Sequence, residues 1–430
     1  MTSHSKYFKI VTENTSCADF VHCGNSCWEM FRWNALNLGY GCCKFIGPVS
    51  VIPILLRFRE LNTDLIKQCC KKFLEYSAAA WLMSVIGLSF MCCYYKLFGK
   101  FYTWSILATP AASSAVICSI ICSNRLILMF SRGLSSMVTE AIVKLYADDF
   151  VFLRLLRDSP VALTLAFMAA NTSIIYALRQ IKSDVFWFIQ PYKVEQSISP
   201  AEKVPSPIID RILPTEMQYC QHKSSCDSFL QHEIINYLKF GIGIEFVRII
   251  FGNAKHIARR PLKFFAFEFF QKIKLNFVGF LVGYAGIYRT LTCFLTRLMK
   301  EDSTNNHLVA ALISGTTFYA YPQLSLFGHA FTTAVELLWS IYFIQHKGVD
   351  RKQKSIPFLD KIPWSRIIYP IFFGYLCYLR PFYPWATPKI MMSILRGVTL
   401  NRESQIMKAY CSRLMSCSDP NVLYLFGMKE

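Results

Sequence analysis

Phe73–Leu97 reads FLEYSAAAWLMSVIGLSFMCCYYKL, with Glu75 and Lys96 near its ends and no charge between them. An α-helix rises about 1.5 Å per residue, and roughly 20 apolar residues cross a hydrocarbon core of about 30 Å. A run of this length and polarity belongs in lipid, where the backbone satisfies its hydrogen bonds only as a helix or a closed barrel. The strict polar/apolar alternation of a barrel strand is missing. The run predicts a membrane helix.

Nine further runs share its character. Leu36–Leu56, Trp104–Cys122, Leu126–Tyr146 and Pro160–Leu178 lie in the first half of the chain. Ile234–Phe251, Phe277–Leu298, His307–Tyr321, Leu326–Ile344 and Trp364–Leu379 lie in the second. Gly47, Pro48 and Pro53 predict a kink in the first of them. The reading is eight to ten membrane helices, some re-entrant or interfacial. The fold class is all-α, a polytopic integral membrane helical bundle.

Composition points the same way. The 430 residues are 53% hydrophobic and only 17% charged, against about 25% charged in ordinary soluble chains. The net charge of +19 does not form one stripe. It punctuates the apolar runs as Lys71-Lys72, Arg259-Arg260 and Arg351-Lys352-Gln353-Lys354. That distribution suits span ends facing anionic headgroups, so nucleic acid is not an expected partner. Basic groups flank the runs on both sides, so the positive-inside rule assigns no orientation. Met1–Cys17 has no apolar signal core, and targeting is expected from internal spans. Many of the 17 cysteines sit in apolar runs, as in Cys42-Cys43, Cys69-Cys70 and Cys92-Cys93. They read as small apolar residues rather than a disulfide framework.

Five segments follow. Residues 1–35 are a Cys/His-containing N-terminal segment and 36–189 a first transmembrane unit. Residues 190–219, with Pro191, Pro200, Pro205, Pro207 and Pro214, are a polar linker that cannot continue a helix. Residues 220–402 are a second transmembrane unit and 403–430 a C-terminal tail; His346–Lys354 reads as a charged loop. The two units repeat each other, with about four to five helices each. At an offset of 336 − 140 = 196, Met137-Val138-Thr139-Glu140-Ala141-Ile142 faces Thr333-Ala334-Val335-Glu336-Leu337-Leu338. Tyr146 then faces Tyr342, and Gly87 faces Gly283. With a small slip, Ser26-Cys27 meets Ser225-Cys226, and Tyr176-Ala177-Leu178-Arg179 meets Tyr378-Leu379-Arg380. The shared order favours duplication over chance likeness among apolar helices.

Three groups of residues invite a functional reading. Glu140 and Glu336 lie inside spans at matching positions, where a carboxylate is costly and finds a partner. Lys144 stands four residues after Glu140, and His329 seven before Glu336. They either bind a cation, proton or headgroup, or serve helix packing. Gly87, Gly279, Gly283 and Gly286 let helices approach closely, either within the bundle or at a homodimer seam. Cys17, His22, Cys23 and Cys27, then Cys220, His222 and Cys226, are soft-ligand clusters for a metal or a redox-active pair. Their spacing is irregular, the second set offers only three ligands, and free thiols are the plainer reading. No cofactor is expected.

Gly99-Lys100-Phe101-Tyr102-Thr103-Trp104 and Val138-Thr139-Glu140 resemble stretches of the transmembrane protein 135 family, also called peroxisomal membrane protein 52. Phe277-Val278-Gly279-Phe280-Leu281-Val282-Gly283-Tyr284, Cys293-Phe294-Leu295 and Leu379-Arg380-Pro381-Phe382-Tyr383 do so as well. The Cys/His patches before each unit are similar to the family's cysteine-rich regions. A basic stretch after the third span is reduced here to Ser123-Asn124-Arg125, which marks a divergent member.

The resemblance implies a non-enzymatic multi-pass protein of the peroxisomal membrane, the mitochondrial membrane or both. It would influence mitochondrial fission and fusion, peroxisome organisation and lipid metabolism. Implied partners are membrane lipids, organelle-division or lipid-transport proteins, and a second copy of the chain. The rival reading is a secondary transporter of lipids or metabolites built on the internal repeat. Neither a P-loop, a dinucleotide-binding turn, a zinc-protease helix nor a nucleophile elbow is found in the sequence.

Overall fold

The computed structural model describes residues 8–9, 12, 15–22, 25–56, 62–181, 183, 185–191, 220, 222, 225–252, 269–349 and 363–416. Among the described residues there are helices and no strand. The first half holds α1 (Cys27–Leu56), α2 (Thr63–Phe98), α3 (Ala108–Ile121), α4 (Asn124–Tyr146), α5 (Val151–Asp158) and α6 (Pro160–Gln180). The second holds α7 (Cys226–Gly252), α8 (Leu275–Met299), α9 (Thr304–Ser314), α10 (Leu324–Val349), α11 (Trp364–Phe382), α12 (Lys389–Val398) and α13 (Arg402–Ser416). A one-turn helix, Cys17–Phe20, precedes α1.

Local chemistry sets several boundaries. Ser123 Oγ accepts from the Leu126 N–H at the start of α4, and Ser159 Oγ from the Ala162 N–H at the start of α6. Pro160 fills the first turn of α6, where no N–H is needed. Gly99 ends α2 with φ of 70°, a left-handed conformation that side chains resist.

Among the described residues, five helices are long and apolar enough to cross a membrane: α2, α4, α6, α8, and α10 over Leu324–Tyr342. No more than half of each apolar window is buried inside the protein. Leu74 and Leu97 on α2, Leu165 on α6 and Phe294 on α8 expose more than half of their surface. Each forgoes about 1.5–3 kcal/mol of burial in water but nothing in hydrocarbon. The chain is a multi-pass helical membrane protein.

The third run of each half forms a helix shorter than its hydropathy run. α3 has 14 residues and α9 has 11, about 21 and 17 Å at the helical rise. The run from Trp104 opens as turns through Leu107, beside Ser105, whose Oγ accepts from the Tyr102 N–H at 2.8 Å. The run from His307 leaves α geometry at Gly315 and continues as a 3-10 turn, Gly315–Ala320.

Two compact units form, Met1–Asp148 with Ser355–Glu430, and Asp149–Lys354. In the first, α1 packs on α2, α2 on α3, and α11 on both α3 and α4. In the second, α7 packs on α8, α8 on α9, and α6 on both α9 and α10. The packing plan is the same. The fifth helix of each half, however, completes the unit formed by the other half. The repeat along the chain divides at the proline-rich linker, whereas the compact units divide at Asp148 and Lys354. An apolar stripe dictates that a helix is buried, not which neighbour buries it.

The residues read as a tail are also structured. α13 packs on α12 and on Cys17–Phe20, and Tyr410 is buried near Phe8, Phe20 and Phe382 with ring centroids 6.0, 6.5 and 6.4 Å away. α10 runs through Val349, so the start of the expected loop at His346 is helical. Residues 192–219 of the linker and 417–430 lie outside the described residues.

Candidate functional site

Cys17, His22 and Cys27 come together with Cys92, and Cys220, His222 and Cys226 with Cys293. In each set all ligand atoms lie within 4.8 Å of one another. His22 Nε2 is 3.2 Å from Cys17 Sγ and 3.1 Å from Cys92 Sγ. His222 Nε2 is 3.3 Å from Cys226 Sγ and 3.6 Å from Cys293 Sγ, while Cys220 and Cys226 are 3.8 Å apart. Cys23, grouped with the first set by sequence, lies outside the described residues. Hydrogen bonding to Cys92 and burial hold the Cys17 thiol above its ordinary range. Burial and the Cys226 thiol push Cys220 up to about 11.

Sequence reading missed Cys92 and Cys293 because each sits inside an apolar run, far along the chain from its nearest partner, Cys27 or Cys226. At the repeat offset of 196 Cys92 faces Tyr288, so the likeness of the two cysteines shows only against the helix ends. Cys92 precedes Phe98, the end of α2, by the same interval that separates Cys293 from Met299, the end of α8. Cys27 and Cys226 each open the first helix of their repeat.

The first unit also holds a half-open apolar cavity of about 290 Å³. Met83, Met91, Met129, Met137 and Met391 supply much of its wall, and Ser84, Ser114, Thr399 and Glu403 are among its few polar lining residues. Methionine side chains adapt to ligands of varied shape. Gly133 on α4 lines the cavity, and a Cβ there would meet open space. Glu403 is buried and lies 2.7 Å from Arg380 Nε.

In the second unit, aromatic side chains pack the corresponding interior: Phe167 stacks on Phe318 at 4.1 Å, with Phe280 edge-on to both. A polar knot threads this core. Asn171, fully buried on α6, donates to the Ala311 carbonyl at 2.7 Å and accepts from Trp187 Nε1 at 3.2 Å and from the Tyr284 hydroxyl. Below it, Asp302 takes His307 Nε2 at 2.7 Å and Arg179 at 3.3 Å, and Tyr288 meets His307 Nδ1 at 2.7 Å. Burial alone would raise Asp302, but the His307 hydrogen bond and charge, with Arg179, hold it below the usual carboxylate range. A lone Asn amid apolar residues was the visible signal for this knot.

Glu140 is buried on α4 and pairs with Lys144 at 2.6 Å. Glu336 is half-buried on α10, and the His329 ring stacks on Trp187 at 6.1 Å. The two glutamates belong to different units. Gly87 on α2 faces Ser114, and Gly283 on α8 faces Thr317, the first and second halves using the same device. Gly286 meets Ile234, whereas a Cβ at Gly279 would meet open space among the described residues. No family model matches the chain, and no solved structure matches it.

Proposed function

We propose that the chain is a non-enzymatic multi-pass protein of organelle membranes that binds a lipid in its first unit. The apolar cavity of about 290 Å³ carries this reading. Its size falls at the lower end of small-ligand sites, and a mostly apolar wall with few polar groups is their usual chemistry. The few polar lining residues, among them Ser84, Ser114 and Thr399, suit a small hydrogen-bonding head, and the methionine wall suits a hydrocarbon body. The resemblance to the transmembrane protein 135 family supports the peroxisomal or mitochondrial membrane as its place. It also supports a role in lipid metabolism, peroxisome organisation and mitochondrial fission and fusion, with organelle-division or lipid-transport proteins as partners.

The test is labelling of the purified protein with a photoreactive fatty acid. Adducts are expected on α2 and α4 around Met83 and Met137, competed by unlabelled fatty acid. Gly133→Phe, which fills the cavity, should reduce them several-fold. Adducts spread over the outer surface and indifferent to Gly133→Phe would overturn the reading.

Secondary transport is the second reading, favoured by the short third helix in both halves. Helix ends lying at membrane depth are where carriers build their sites. Reconstitution in liposomes with fluorescent lipids and acyl-CoAs separates the two. Movement abolished by Glu140→Gln with Glu336→Gln supports transport. Binding without movement supports a lipid-responsive regulator.

A further inference from the structure

We propose that each unit holds one zinc ion in a closed Cys3His site. Cys17, His22, Cys27 and Cys92 form the first, and Cys220, His222, Cys226 and Cys293 the second. Four ligands from three thiolates and one imidazole are a common structural zinc set. Zinc–sulfur bonds of about 2.3 Å and zinc–nitrogen bonds of about 2.0–2.1 Å make a tetrahedron with edges of roughly 3.5–3.8 Å. The ligand atoms stand 3.1–3.8 Å apart in the pairs that touch. Soft donors of this kind exclude magnesium and calcium.

Recurrence is the second, independent observation. The two sets differ in local spacing, Cys17–His22–Cys27 against Cys220–His222–Cys226, yet each places a histidine just before the first helix, a cysteine at its opening residue and a cysteine near the end of the second helix. A disulfide would engage two of the three thiols and leave the histidine and third cysteine unexplained. In the second unit the His222 ring is held flat on Phe229, 4.5 Å away at 7°, which fixes the direction of its Nε2. A cavity of about 30 Å³, lined by Cys220, His222, Cys293 and Arg289, adjoins that set. Three thiolates around a dication leave one net negative charge, which the Arg289 guanidinium, also paired with Glu233, partly offsets.

Loading requires no redox partner. Each Sγ–H gives its proton to solvent as its Zn–S bond forms, and the imidazole binds through the Nε2 lone pair. With all four positions taken by protein, the metal has no open site for substrate. Its work is to fasten the segment before the first helix of each repeat to the second helix.

The experiment is metal analysis of the full chain purified in detergent under reducing conditions. About two zinc ions per chain are expected, one per ligand set. Cys92→Ser and Cys293→Ser should each remove about one, and together both. Cys93→Ser, at an exposed neighbour of Cys92, should remove none. Should a serine variant fail to fold, His22→Cys keeps four ligands and should retain zinc where His22→Ala loses it. Cobalt added to the stripped protein should give the visible bands of tetrahedral thiolate coordination. Less than about half an equivalent in reduced protein, or zinc that survives Cys92→Ser with Cys293→Ser, would overturn the proposal.

Discussion

Arg380, at the end of α11, stands 2.7 Å from Glu403 of α13, and both side chains are largely withdrawn from solvent. The pair ties the exchanged fifth helix to the C-terminal helix of the same unit. Removing one member of a buried pair costs about 3–5 kcal/mol, because the other charge is left uncompensated. Glu403→Ala is expected to lower the unfolding midpoint in detergent accordingly. Arg380→Met combined with Glu403→Leu should recover most of the loss, as replacement of both partners is far less costly. Tryptophan fluorescence during thermal unfolding reads both.

Asn171 presents a separate case, since its amide supports Trp187, Tyr284 and the Ala311 carbonyl at once. Asn171→Leu strands buried polar groups and should destabilise the second unit by about 1–3 kcal/mol. Tyr284→Phe removes one hydroxyl and should cost less. The emission maximum of Trp187 is the local readout, best followed with the other tryptophans replaced.

Glycine positions that look alike in sequence are expected to behave oppositely. At Gly374 on α11 a Cβ would sit 2.9 Å from the Ala112 Cβ and 3.0 Å from the Ala108 carbonyl oxygen of α3. Gly374→Ala therefore forces the two helices apart, at about 1–3 kcal/mol. Gly279→Ala meets nothing and gains helix propensity of up to about 1 kcal/mol. Paired melting curves of the two variants check the contrast.

Acid should loosen the junction between α8 and α9. Asp302 is held below its ordinary value by His307 and Arg179, so the folded state binds its proton less readily than the unfolded chain. The stabilisation is fully present above the unfolded carboxylate value of about 3.9 and fades as pH falls through the lower folded value. Melting temperature measured below about pH 4 should fall more steeply in wild type than in Asp302→Asn.

The repeat register was legible from Glu140, Glu336 and their neighbours, because matched polar residues are conspicuous in apolar helices. The helices themselves followed from run length. Which helices meet was not legible: α6 packs on α9 and α10, and α11 on α3 and α4, although an apolar stripe names no neighbour. Run length also misjudged Trp104–Cys122 and His307–Tyr321, where Ser105 and Gly315 divert the backbone without breaking hydropathy. Three of the four ligands in each Cys/His set were visible as local spacing. Cys92 and Cys293 were hidden by looking like their apolar surroundings, and only folding brings them to the histidines.

The exchange of fifth helices has a consequence for biogenesis. When synthesis has passed Asp148, four helices of the first unit exist, but α11, which ends at Phe382, still lies beyond the whole of the second unit. At about 5–20 residues per second the nascent bundle waits on the order of tens of seconds for α11. Lipid or an insertion chaperone must cover the waiting groove meanwhile. A stop codon after Lys354 therefore does more than shorten the chain: it leaves the earliest-made part of the protein unfinished.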